Sequence, residues 1–120
     1  MAETIDELVR RFREAAISKG AFQVNPREDH RLHAEMARAF RALESRGPEV
    51  QAAFQSLLLD QSAHVRSWVA AQMLSQGEGS ARSVLEQLRK DPGLLGFEAE
   101  IVLEQYRRGK LASPFGAGGA

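Results

Sequence analysis

The chain has 120 residues, 43% hydrophobic and 27% charged, with 16 basic residues against 16 acidic ones. That length supports one domain with a real core, and the neutral balance excludes a nucleic-acid binder driven by bulk charge. There is no cysteine, hence no disulfide frame and no thiolate chemistry, and no apolar run reaches the ~18 residues of a membrane span.

Helix punctuation divides the chain legibly. Thr4 with Glu7 forms a capping box, and Ile5, Leu8, Val9, Phe12, Ala15 and Ala16 then recur at helical spacing. Gly20 is expected to supply a left-handed stop. Asn25-Pro26-Arg27-Glu28 reads as a second start, with the helix beginning at Pro26 or at His30 and carrying the stripe Leu32, Met36, Ala39, Phe40 and Leu43. Gly47-Pro48 ends that helix and opens a third, carrying Val50, Ala53, Phe54, Leu57 and Leu58. Ser62 caps a fourth with Val65, Val69 and Met73, which stops at Gly77. Ser80 opens a fifth with Val84, Leu85 and Leu88. Asp91-Pro92 opens a sixth with Leu95, Ala99, Val102, Leu103 and Tyr106, closed by Gly109.

After Leu111 the run Ala-Ser-Pro-Phe-Gly-Ala-Gly-Gly-Ala has no periodicity, so residues 112–120 read as a flexible tail behind a single helical domain over 1–111. No strand-like alternation occurs, and the fold class is all-α. Short connections imply three antiparallel hairpins, 4–19 with 26–46, 48–59 with 63–76, and 80–90 with 92–108. A solenoid of stacked hairpins and a closed six-helix bundle both satisfy that pattern.

The segment from Leu58 to Leu74, Leu-Leu-Asp-Gln-Ser-Ala-His-Val-Arg-Ser-Trp-Val-Ala-Ala-Gln-Met-Leu, resembles a HEAT repeat. An apolar helix end, an aspartate, a short turn, then Val-Arg and a small-residue stripe make up the likeness. Asp60 can cap the turn while Arg66, six residues on, reaches back to lock it, so the two are expected to pair. Over residues 4–111 the chain is also similar to a family of short bacterial HEAT-like proteins with no firmly assigned activity. Leu8-Val9-Arg10-Arg11-Phe12, Arg31-Leu32-His33-Ala34-Glu35-Met36, Val65-Arg66 and Gly96-Phe97-Glu98-Ala99 carry that similarity. Trp68 and Gln72 depart from it, standing where such proteins usually have Lys and Ala. The resemblance implies a short HEAT-like α-α superhelix of about six helices, whose second helices line a concave wall.

Catalytic constellations are missing from the sequence. There is no Gly-x-Ser-x-Gly elbow, no phosphate-binding glycine loop and no suggestive Ser/His/Asp spacing, so no enzyme activity and no cofactor are expected. His30 and His33, near Asp29 and Glu35, form the one metal-like group, but no third strong ligand is placed and no metal site is expected. Thirteen of the 16 basic residues are Arg, and Arg31, Arg38 and Arg41 form a partial stripe on helix two that would suit phosphate. Glu28, Asp29, Glu35 and Glu44 on the same helix offset it.

Trp68 is the sharpest single feature. It falls beside the core line Val65, Val69, Met73, with His64 and Gln72 on its own line, as a protein-binding anchor or as filler between hairpins. The expected function is therefore a protein–protein interaction module, adaptor or immunity-type, using Trp68, His64 and Gln72 with Arg31, Glu35 and Arg38 on the concave face. The alternative is a nucleic-acid-associated module using the Arg stripe. A homo-oligomer stays open, because a hairpin stack leaves apolar end faces. An acidic N-terminus, unlike a secretory leader, points to the cytoplasm.

Overall fold

Six α-helices build the protein: α1 (Ile5–Lys19), α2 (Pro26–Glu44), α3 (Gln51–Leu58), α4 (Ala63–Ser75), α5 (Arg82–Leu88) and α6 (Leu94–Arg107). The computed structural model describes residues 3–20 and 25–116, and among these there is no strand. No described helix is long and apolar enough to cross a membrane. Single 3-10 turns at Gly47–Val50 and Gly79–Ala81 lead into α3 and α5.

The caps explain the boundaries. Thr4 Oγ1 accepts the Glu7 N–H at 3.1 Å, Asn25 Oδ1 accepts the Glu28 N–H at 2.8 Å, and Ser62 Oγ accepts the Val65 N–H at 3.4 Å. Asn25 thus starts α2 at Pro26, the earlier of the two candidate positions. Gly77 (φ 90°) and Gly109 (φ 71°) take the left-handed conformation that ends their helices. Gly20 does not: it closes α1 at φ −81°, with its N–H shared among the carbonyls of Ala16, Ile17 and Ser18. The side chain of His64 lies against it, and a Cβ at Gly20 would meet the imidazole at 2.5 Å. Close approach, rather than backbone handedness, is what glycine serves there. Asp91-Pro92 precedes α6 instead of opening it, with Asp91 Oδ1 accepting the Gly93 N–H at 2.7 Å.

Consecutive helices pack as the pairs α1–α2, α3–α4 and α5–α6, and α4 also touches α1, α5 and α6. That central position has a signature. Residues Val69, Ala70, Ala71, Gln72, Met73 and Leu74 are all buried, so α4 has no wet face over its second half. Phe12, Phe40, Phe54, Met36, Leu43, Leu57, Val65, Val69, Leu74 and Leu85 form the heart of the core. Phe40 stacks on Phe54 at 4.8 Å, joining the α1–α2 pair to α3.

The α3–α4 turn has a different wiring from the one its spacing suggests. Arg66 does reach back, but its Nη1 donates to the backbone carbonyls of Asp60 (2.5 Å) and Gln61 (3.2 Å), not to the Asp60 carboxylate. That carboxylate accepts the Ser62 N–H at 2.9 Å and binds Arg13 of α1 through two contacts of 2.6 and 3.3 Å. Asp60 therefore fastens the α3–α4 turn to α1. Burial pushes its carboxyl upward, but the Arg13 and Ser62 hydrogen bonds, with the charges of Arg13 and Arg66, bring it below the usual carboxylate value.

Candidate functional site

The segment expected to be a free tail turns back onto the helices. Residues 117–120 lie outside the described residues, but Ser113–Gly116 form a turn whose Phe115 is 3% exposed. The correction has a simple physical cause. An aromatic ring in a stretch of small, glycine-rich residues gains by leaving water, and a slot between α1, α2 and α4 accepts it.

Four aromatic rings line that slot. The Phe115 ring centroid lies 5.4 Å from Phe40, 5.6 Å from His33, 5.8 Å from Phe12 and 6.1 Å from Trp68, edge-on to Phe12 and stacked on Trp68. Trp68 is itself half-buried: His33 meets it edge-to-face at 5.3 Å, and the Lys19 ammonium sits 5.4 Å from its ring. Lys19 is held there by Asp29 at 2.6 Å, and the same contact keeps the Asp29 carboxyl below its ordinary value.

The backbone of the segment is read by side chains. Gln72, 3% exposed, offers its Oε1 to the Ser113 hydroxyl at 2.6 Å and to the Phe115 N–H at 3.2 Å. A His33 ring nitrogen lies 2.7 Å from the Pro114 carbonyl, and Arg41 Nη2 donates to the Phe115 carbonyl. Placing an amide on the fully packed part of α4 is unfavourable unless it is hydrogen-bonded, and the segment supplies those bonds.

Of the expected partner-binding residues, the structure brings Trp68 and Gln72 together but closes both under Phe115, so neither forms an open anchor. His64 is half-buried against Gly20 rather than placed on a rim. Arg31 is engaged with Glu28 and Arg38 with Glu35, each within α2, so the stripe and Glu35 carry charges already matched. Arg41 is turned to the Phe115 carbonyl. His33, Phe12, Phe40 and Arg41 belong to the slot and were not singled out for it. The available signal was Phe115 itself, an aromatic out of place in a segment otherwise suited to a linker.

A second feature lies on α6. Its buried side is Gly96, Ala99 and Leu103, and directly opposite stand Leu94, Phe97 and Ile101, exposed by 70, 61 and 44%. Their i, i+3, i+7 spacing makes one stripe. A shallow cavity of about 360 Å³ beside it is lined by Phe97, Glu100, Ile101, Glu104, Gln105 and Arg108. Arg107 and Arg108 both pair with Glu104, whereas Glu98 and Glu100 have no ion-pair partner among the described residues. No group of three or more His, Asp or Glu able to hold a metal occurs among the described residues. No family model matches the chain, and no curated protein or solved structure matches it.

Proposed function

We propose that the protein is a binding module for another protein, docking it along the outer face of α6 rather than on a concave wall around Trp68. The observation that carries this reading is the stripe Leu94, Phe97 and Ile101. Scattered exposed apolar residues need no explanation, but three large ones in register on one helix, rimmed by charge, are the usual form of a docking surface. Glu98 and Glu100 beside the stripe fit a partner that presents an apolar ridge flanked by basic residues, such as an amphipathic helix. No catalytic group enters this reading.

Photo-crosslinking from position 97, with the exposed Arg82 of α5 as the control site, tests it. A single protein should be trapped from 97 and not from 82, and the purified protein should bind the full chain. Phe97→Asp should leave the unfolding midpoint unchanged while weakening that binding at least ~30-fold, about 2 kcal/mol, as loss of an aromatic anchor does. Equal binding by Phe97→Asp, or crosslinking only to a second copy of the chain, would overturn the proposal.

A further inference from the structure

The slot between α1, α2 and α4 is more than a seam that a stray phenylalanine fills. Its polar lining is directed at a main chain. Gln72 accepts from an N–H, and His33 and Arg41 address successive carbonyls, of Pro114 and Phe115. One side chain is inserted, into a cradle of Phe12, His33, Phe40 and Trp68. Main-chain recognition plus a single deep aromatic is how grooves bind short peptide segments. Gln72 supports this most directly. An all-apolar α4 would seal an ordinary core better, and while the slot is filled the buried Gln72 Oε1 is paired by the hydroxyl and N–H of the segment that fills it.

Outside the slot, the resident segment is tied to the core by the half-buried Leu111. Gly109 ends α6 in the left-handed conformation, Lys110 and Ala112 are exposed, and the bonds that hold 113–115 to the helices come from side chains. From this we infer that the slot is a peptide-binding site held closed in cis. Its ligand is a turn segment of a partner protein with an aromatic residue between proline and glycine, the chemistry of Ser113-Pro114-Phe115-Gly116. The resident 113–116 segment is the built-in competitor. A short tether to α6 gives it an effective concentration in the mM range, so a free segment meets an open slot only in the fraction of molecules where residues 113–116 have lifted. The inference is independent of the α6 stripe.

Full-length Phe115→Ala vacates the cradle, and full-length Ser113→Ala removes one Gln72 bond while keeping every core side chain. Each is titrated with a synthetic peptide, Lys-Leu-Ala-Ser-Pro-Phe-Gly-Ala, using the emission of Trp68, the one tryptophan in the chain. Phe115→Ala should bind it at least ~100-fold more tightly than the wild type does, with Ser113→Ala between the two. The same peptide with alanine for phenylalanine should not bind. If Phe115→Ala fails to fold, Ser113→Ala decides alone. Binding by neither variant would make Phe115 a plain core residue and overturn the inference. A concentration-dependent dimer of the wild type that Phe115→Ala abolishes would do so as well, assigning the slot to a second copy.

Discussion

Asp60 offers the most discriminating test of how the helical pairs are joined, because two arginines approach it by different routes. Arg13 grips its carboxylate at 2.6 and 3.3 Å, and Arg66 grips its backbone carbonyl. Replacing the Asp60 side chain therefore breaks the first contact and leaves the second. At an effective dielectric of about 20 a contact pair at ~4 Å is worth up to ~4 kcal/mol before desolvation, whereas exposed pairs measure ~0.2–1 kcal/mol. Here the carboxylate is mostly buried and the guanidinium one-third exposed, in a two-point geometry. The coupling between Asp60→Ala and Arg13→Ala should fall between those limits, at about 1–2 kcal/mol. Between Asp60→Ala and Arg66→Ala it should stay below about 0.5 kcal/mol, even though Arg66→Ala alone removes hydrogen bonds and destabilises by ~1 kcal/mol. Urea unfolding of the wild type, the three single variants and the two doubles supplies both cycles. An Asp60–Arg66 coupling larger than the Asp60–Arg13 coupling would refute this account and restore the pairing expected from the HEAT-like spacing.

Because the folded-state carboxyl of Asp60 lies below its ordinary value of 3.8, its contribution is complete above that value and disappears as pH falls through the lower, folded one. The stability difference between the wild type and Asp60→Asn should be flat above about pH 5 and shrink below about pH 4 in pH-resolved denaturation. Gly96→Ala should destabilise by ~2 kcal/mol or more in thermal melts, since a Cβ there would lie 1.8 Å from the Asp91 carbonyl oxygen. Gly77→Ala meets open space and only the strain of φ 90°, so about 1 kcal/mol is expected. Trp68→Ala should lose about 2–3 kcal/mol, less than a fully buried aromatic, and wild-type Trp68 emission should be blue-shifted and resistant to quenchers. A red-shifted, freely quenched emission would contradict the stacking on Phe115.

Local signals in the sequence determined the helices. Thr4, Asn25 and Ser62 place side-chain acceptors where orphan N–H groups need them, and the apolar stripes of α1 and α2 mark their buried faces without outside help. Those interactions span three or four residues, so the order of residues contains them. Which helix lies at the centre is not contained there. The unbroken burial of Val69–Leu74 follows from α1, α3, α5 and α6 converging on α4, and a run of five apolar residues with one glutamine does not say which helices will cover it. The same limit applies to the site. Gln72 and Phe115 are 43 residues apart and Arg13 and Asp60 are 47 apart, and each pair meets only once the helices have packed. Phe115 illustrates the division: its own neighbours lack any periodicity, so sequence reads a linker, while the slot that orders it is made by three helices that sequence leaves separate. Burial of one aromatic ring and the pairing of one buried amide are long-range events, and only the tertiary structure decides them.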